Sequence, residues 1–367
     1  MCIGIVIPAY NAAQWIGDAI ASVIAQTYLD WSMVVVDDGS TDGTGQVVTA
    51  FADHRIRLVR QPNAGVSAAR NRGLEVLAGA THFPRLPPAR AGGADAVDAA
   101  VTRAVDPAAV AGARAAGTVD AGAARTALPL PLREGGRGRG PVLFLDADDS
   151  LAPDALSRLL AALESSPTAA AVVGAYTFAD THRIHRPPSG DLLPSLLTRN
   201  LFANGGHVLI RADALERAGG FLTDIAYGED WEFWTRIALQ GPFAAAPGPP
   251  ILFVRQHVDS AYHRLASNPD AFAPCMAAIF ANPALHARFG SAHLATIQQH
   301  TEAENAWIIG RELIRHGRRF HGLMRLRHSF LAYPSLKRAV LLAAAHLLPL
   351  LPVRLHGPFR AYQTLKA

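Results

Sequence analysis

The chain has 367 residues, half of them hydrophobic, with 34 basic and 30 acidic side chains and a formal net charge of +4; this is ample for one large buried core or two smaller ones. Lysine appears only at Lys337 and Lys366, the arginines are spread out, and no short basic run carries interleaved aromatics, so the excess charge leaves no nucleic-acid footprint. Two cysteines, Cys2 and Cys275, lie too far apart in sequence for metal-ligand spacing and make no disulfide framework, which leaves a reducing compartment as the expectation.

The opening "MCIGIVIPAY" lacks a basic n-region and meets Pro8 early, so it reads as a buried first strand and not as a signal peptide. "NAAQWIGDAIASVIAQTY" then sets Trp15, Ile16, Ala19, Ile20, Val23 and Ile24 at helical spacing. "WSMVVVDDGSTDGT" is a second buried strand running into a turn-rich loop, "TGQVVTAFADH" a helix, and "RIRLVRQ" a short strand. "GVSAARNRGLEVLAGA" is helical, with Gly73 its weak point. Strands alternating with helices predict an α/β fold with a parallel, doubly wound, Rossmann-like sheet. Ligands in such sheets bind beyond the carboxyl ends of the strands.

From Pro84 to Gly140 the pattern breaks. The segment holds no aromatic residue, is dominated by Ala, Gly, Pro and Arg, and ends in "REGGRGRG". With so few large side chains to hold it down, it reads as a low-complexity surface insertion. The sheet pattern resumes at "PVLFLDADDS", followed by the helix "APDALSRLLAALESS", the strand "AAVVGAYTF", and a strand–helix–Gly-Gly unit in "GGHVLIRADALERAGGF". "GEDWEFWTRIALQG" is an amphipathic helix with two acids at its positive end, and "ILFVRQH" a late strand. Beyond about residue 265 the chain turns helical. "LKRAVLLAAAHLLPLLPVRLHGPFR" is too short an apolar run to span a bilayer; it suits either a membrane interface or packing on its own domain.

Several short stretches carry chemistry. Asp37 and Asp38 sit where a buried strand enters a Gly-containing loop; they suit hydrogen bonds to a nucleobase or ribose, or a turn capping the helix near Asp42. Arg70 lies one turn into its helix, within reach of a phosphate or simply on the surface. Asp146, Asp148 and Asp149 begin like an EF-hand, but the sixth and twelfth positions hold Leu151 and Ser157 where Gly and Glu are required. What remains is an open divalent site completed by substrate phosphates, or a solvated turn. Glu229 and Asp230 open a helix beside Trp231 and Trp234; partial desolvation there would raise proton affinity as a general base requires, while dipole capping is the plainer use. His257 follows the late strand.

In order, "VIPAYN", "VVVDDGSTDGT", "NAGVSAARNRG", "FLDADD", "GEDWEFWTR" and "VRQHVDS" resemble the glycosyltransferase family 2 enzymes, which use nucleotide-sugar donors and are built on the GT-A fold. The resemblance runs from Ile3 to about His263 with the insertion excepted. It implies a GT-A domain over 1–264, interrupted at about 84–140, and a helical C-terminal extension over 265–367. It further implies that Pro8, Ala9 and Tyr10 line the nucleotide end, that Asp37 or Asp38 contacts base and ribose, and that Arg70 contacts the nucleotide. Asp146 and Asp148 match the DxD element, with Asp148 the direct ligand of Mg²⁺ or Mn²⁺ and His257 a further support for metal or diphosphate. Asp230 matches the catalytic base, with Glu229 helping to fix the acceptor. The implied reaction is inverting transfer from a nucleotide-sugar, a UDP-sugar by family frequency, to a glycan or lipid-linked acceptor. The implied location is the cytoplasm, with peripheral contact to the inner face of the membrane through the C-terminal helices. The insertion leaves a second reading, a nucleotide-sugar binder whose catalysis it has disabled. A nucleotidyltransferase or a dinucleotide-binding dehydrogenase is disfavoured because "IPAYNAAQW" has no glycine where a phosphate loop needs it.

Overall fold

A computed structural model describes residues 1–79, 140–179, 183–255 and 270–347. The first part alternates strictly: β1 (Ile3–Ala9), α1 (Ile16–Ile24), β2 (Trp31–Asp37), α2 (Thr44–Thr49), β3 (Ile56–Arg60) and α3 (Val66–Gly79). The chain resumes with β4 (Val142–Phe144), β5 (Ser150–Leu151), α4 (Ala155–Glu164), β6 (Ala171–Val173), β7 (Tyr176–Phe178), β8 (Ile184–His185) and α5 (Leu193–Leu196). There follow β9 (Val208–Ile210), α6 (Ala212–Ala218), α7 (Glu229–Ala238), β10 (Phe243–Ala245) and β11 (Leu252–Val254). Five helices come last: α8 (Ala273–Phe280), α9 (Pro283–Phe289), α10 (Ser291–Arg315), α11 (Arg319–Ala332) and α12 (Leu336–Leu347).

The main sheet has seven strands in the order β10-β6-β9-β4-β1-β2-β3, and β5-β11-β7-β8 form a smaller one. β4, β1, β2 and β3 run parallel, while β9 lies antiparallel between β4 and β6. This is the mostly parallel, doubly wound sheet the alternation predicts. β1 shows why its sequence is apolar without interruption. Ile3, Ile5 and Ile7 enter the core shared with α1 and α4, whereas Val6 enters the core shared with α6 and α7. Both faces are covered, so neither can be polar.

Gly73 proves to be a packing requirement. A Cβ there would stand 2.3 Å from Val6 Cγ1, so α3 lies directly on β1 only because this residue has no side chain. Its costs in helix propensity are offset by the close approach. α8 and α9 belong to the main core through Cys275, Met276, Ile279 and Leu285, while Trp307, Leu326 and Ala345 gather a separate small cluster in the last three helices. The Arg- and His-rich stretch after residue 303 is two helices, broken at Gly317 (φ 77°). The 264/265 boundary and all but the last residue of the 84–140 insertion fall outside the described residues. Among the described residues, no helix is long and apolar enough to cross a membrane.

Candidate functional site

The parallel strands point their carboxyl ends to one edge, and the loops leaving that edge are stitched together by short polar side chains. Ala9 of β1 pairs in register with Asp37 of β2. Beyond them Asn11 adopts a positive φ of 49°, the single non-glycine residue to do so among those described. Its Oδ1 accepts from Thr41 N at 2.8 Å, and its own N–H donates to Ser40 Oγ at 3.0 Å. Asp42 accepts from Ala13 N and, in an Asx turn, from Thr44 N at the start of α2, whose N-cap is Gly43; the two preceding acids have other partners.

Those partners differ. Asp38 accepts from Gln61 Nε2, Ala64 N and Gly65 N, which ties β2 to the approach to α3. Asp37 accepts from Ser40 N and lies 3.6 Å from Arg60 Nε. Asp37, not Asp38, lines an open cleft of about 450 Å³ together with Ser40, Asp42, Arg60 and Gln61. Pro8 and Ala9 are buried in β1, and Tyr10 presents its side chain to solvent at 53% exposure.

The second half of the site forms around Arg70. Its helix, α3, is fixed by the Gly73 contact, and this sets the guanidinium in the interior at 6% exposure. Nη2 donates to Asp146 Oδ1 at 3.2 Å and Nη1 to Glu229 Oε1 at 3.0 Å, and the guanidinium carbon stands 5.0 Å over the Phe221 ring. Residues 76 and 159 positions away along the chain thus share one cation. Burial alone would make this arginine easier to deprotonate; the charges of Asp146, Glu229 and Asp230 more than reverse that.

Asp146, Asp148 and Asp149 leave the end of β4, and oxygens of all three lie within 4.8 Å of one another. Burial pushes the Asp146 carboxyl up, Arg70 opposes it and Asp148 adds to it. Burial likewise pushes Asp149 well up, helped by Asp146 and Asp148. Asp149 is held by the protein on both oxygens: Asn204 Nδ2 donates to Oδ2, and Arg255 N donates to Oδ1 at 2.9 Å. An all-oxygen donor set of three crowded carboxylates, with one shared arginine as compensation, fits a hard divalent cation. Each of the three carboxylates could offer an oxygen to it, and Asp149 is the one with both oxygens engaged by Asn204 and Arg255.

Glu229 and Asp230 open α7 after Gly228, whose φ of 77° and contact with Cys275 leave no room for a side chain. Asp230 Oδ1 accepts from Trp231 N at 2.7 Å, and Oδ2 accepts from Asn200 Nδ2 at 3.1 Å. Burial, then the neighbouring Glu229 charge, raises its carboxyl to about 7 against the pull of Arg70, Asn200 and Trp231. That is the proton affinity of a base working near neutrality. Glu232, two residues on, is different: it is buried in a fork with Arg236 of the same helix, with contacts of 2.6 and 2.7 Å, and Arg236 in turn donates to Ala218 O at the end of α6.

Arg70 therefore brings together Asp146 with Glu229 and the neighbouring Asp230, while Asp37 lines a cleft of its own at the end of β2. His257 lies outside the described residues. Asn200, Asn204 and Arg255 were not anticipated from the sequence. The spacing in "NLFANGGH", with two asparagines in a Gly-containing turn before a strand, was the available signal.

Residues 4–80 match the family model Glycosyl transferase family 2. Over 79 residues the chain is 44% identical to Glycosyltransferase GlyA of Streptococcus pneumoniae, a match covering 21% of this chain and 11% of that protein. Over 78 residues it is 41% identical to the UDP-Glc:alpha-D-GlcNAc-diphosphoundecaprenol beta-1,3-glucosyltransferase WfgD of Escherichia coli, covering 21% of this chain and 31% of the other. The chain thus spans less than a third of the length of either relative. In three dimensions the likeness extends further. Staphylococcus aureus TarS 1–349 in complex with UDP-GlcNAc superposes with a TM-score of 0.57 at 15% identity, over 95% of this chain and 88% of that one. The mannosyltransferase PcManGT of Pyrobaculum calidifontis, in complex with GDP-Man and Mn²⁺, gives a TM-score of 0.50 at 22% identity over 95% and 80%. With its motifs at the loop ends of a doubly wound sheet, this chain has the GT-A fold, and its residues 4–80 match glycosyltransferase family 2.

Proposed function

We propose that the protein is a metal-dependent, inverting glycosyltransferase that moves a sugar from a nucleoside-diphosphate donor, a UDP-sugar, to a hydroxyl of a glycan or lipid-linked acceptor. One observation carries this reading: a single buried guanidinium, that of Arg70, joins the acid cluster after β4 to the acid pair opening α7. A group that grips a cation and a group that accepts a proton then border the same space.

In this reading Asp37 and the cleft around it receive the base and ribose, with Tyr10 at the rim. Mg²⁺ or Mn²⁺ held with the donor by Asp148 and Asp146 supplies neutralisation of the charge that develops on the departing diphosphate. His257 is proposed as a further ligand. Arg70 keeps Asp146 in place and its remaining Nη hydrogens would donate to phosphate oxygens. Asp230 takes the acceptor hydroxyl's proton, and Glu229, anchored by Arg70, orients that acceptor. Attack from the side opposite the leaving group inverts the anomeric centre and requires no protein nucleophile. Exposed Phe320, Met324 and Leu331 on α11, with Leu336 and Val340 on α12 and the basic Arg327 and Lys337 among them, support peripheral contact with a membrane carrying such an acceptor.

The test is a donor screen that reports released nucleoside diphosphate with and without Mn²⁺. Metal-dependent release from one nucleotide-sugar, lost in Asp230→Asn, is the expected result. Release that persists undiminished in Asp230→Asn would remove the assigned base.

A further inference from the structure

The two acidic ends of the site are gripped by one loop. Between α5 and β9 the chain reads "NLFANGGH", and its two asparagines, four residues apart, reach opposite ends of the active-site acids. Asn200 Nδ2 donates to Asp230 Oδ2 at 3.1 Å, and Asn204 Nδ2 donates to Asp149 Oδ2. Each amide is oriented in the same way. Asn200 Oδ1 accepts from Phe202 N at 3.2 Å, and Asn204 Oδ1 accepts from Gly206 N at 2.9 Å. These two Asx turns fix which end of each amide is oxygen, and so aim each NH₂ at a carboxylate.

The loop is held firmly. Phe202 stacks on Phe243 at 5.5 Å and meets Trp234 edge-on at 5.4 Å. A Cβ on Gly205 would come within 2.8 Å of the Phe144 backbone oxygen, and one on Gly206 within 2.8 Å of Leu252, so the glycines let the turn press against the end of β4. Trp231, next to the base, reaches back to donate its indole N–H to Leu196 O at the end of α5.

We propose that the loop from Asn200 to Gly206 is the positioning element of the site: Asn200 fixes the base carboxylate Asp230, Asn204 fixes Asp149 among the cation-binding acids, and the turn between them sets how far apart the two ends stand. The proposal rests on the reading of Asp230 as base. Asn200 and Asn204 touch no substrate and act through the carboxylates they hold. Because the amide donates to the charged form of Asp230, it favours ionisation against Glu229 on the same helix and alongside Arg70 from α3; Glu232 on that helix is paired with Arg236, and Cys275 of α8 also faces the group.

The experiment compares wild type with Asn200→Ala, Asn200→Asp and Asn204→Ala. It reads kcat and donor KM across pH, Mn²⁺ affinity by electron paramagnetic resonance without donor, and the Asp230 carboxyl titration by carbon NMR. Asn200→Ala is expected to lower kcat about tenfold and to move the acid limb up by about one pH unit, the worth of one hydrogen bond to a charged group. Donor KM and Mn²⁺ affinity stay as they were. Asn200→Asp retains the acceptor for Phe202 N but replaces the donor with a second carboxylate beside Asp230, so the acid limb moves up further than in Asn200→Ala, in a protein whose turn is intact. Asn204→Ala is expected to weaken Mn²⁺ binding about tenfold, as loss of a partner behind a ligand does, with the acid limb unmoved. An acid limb that stays put in both Asn200 variants, or an equal loss in all parameters for both asparagines, overturns the proposal. If wild type transfers no sugar, the functional reading fails on its own, while the carboxyl titration and Mn²⁺ binding still decide the role of the loop.

Discussion

Asp230→Asn is expected to stabilise the protein while stopping its chemistry. The carboxyl stands at about 7 in the folded chain against a usual 3.8, so between those values the folded state binds a proton that the unfolded state has released. Stability therefore falls as pH rises from about 4 to about 7 and stays reduced above. The full shift of about three units corresponds to about 4 kcal/mol. Two deductions apply. Asp230 is partly exposed, which screens the penalty, and an asparagine amide facing Asn200 Nδ2 loses one hydrogen bond worth about 1 kcal/mol. A net gain of about 1–2 kcal/mol at pH 8 remains, which is a rise of about 1–3 °C in melting temperature for a chain of this size. Near pH 4 the carboxyl is neutral in the folded state and only about half ionised in the unfolded one, so most of the gain disappears and the lost hydrogen bond makes the variant slightly the weaker. Thermal melting of both proteins at pH 4, 6 and 8, with transfer assayed alongside, gives the answer. Equal melting differences at all three pH values would show that Asp230 is not held in its raised state, and the argument for it as a base near neutrality would go with it.

Other outcomes follow from the same geometry. Wild-type transfer should show an acid limb near pH 7, since only the ionised Asp230 accepts a proton; a rate that is flat from pH 5 to 8 contradicts this. Asp148→Ala should abolish Mn²⁺-dependent binding of the nucleoside diphosphate in calorimetric titration, leaving at most weak metal-independent binding. Gly73→Ala should cost about 1–3 kcal/mol in chemical denaturation, because its methyl group would have to displace Val6 at the centre of β1. Arg236→Met, which strands the buried Glu232, should cost about 3 kcal/mol without moving the acid limb.

The fold was legible because its signal is redundant. Ile3, Ile5, Ile7 and Val6 make a run that only a strand covered on both faces can use, and the alternation with helical periodicity recurs often enough to specify the sheet. The acids were legible individually, and their assembly was not. No local pattern states that Arg70 reaches both Asp146 and Glu229, since that depends on α3 closing against β1 at Gly73, where a residue that looks unfavourable for a helix is what allows the contact. Asp37 and Asp38 were indistinguishable by sequence because both follow the same strand; the partners Gln61, Ala64 and Gly65, fixed by the register of β2 with β3, separate them. Asn200 and Asn204 escaped for a related reason. A side-chain amide in a turn is ordinary, and its target lies 30 or 55 residues away.

The long interruption between α3 and β4 bears on the site through its points of attachment. In a doubly wound sheet, chain leaving a helix re-enters at the amino edge of the next strand, whereas ligand-binding loops leave the carboxyl edge. The described ends obey this. Gly140 lies against Cys2 O, immediately before β1, and Gly4 pairs with Val142 as the two strands start side by side. Asp146 emerges beyond the far end of the same strand, where Leu145 N donates to Val6 O. β4 keeps its register with β1 and β9, so the strand that delivers the acids is set by the sheet and not by what precedes it. Replacing residues 84–139 with a short Gly/Ser linker is therefore expected to leave Mn²⁺-dependent nucleotide binding within about twofold of wild type and the melting temperature within a few degrees, since closure cost changes slowly with loop length. Calorimetric titration and thermal melting measure both. A protein that folds with the linker but no longer binds nucleotide would mean that the segment reaches the carboxyl edge after all, and one that does not fold would make it part of the core.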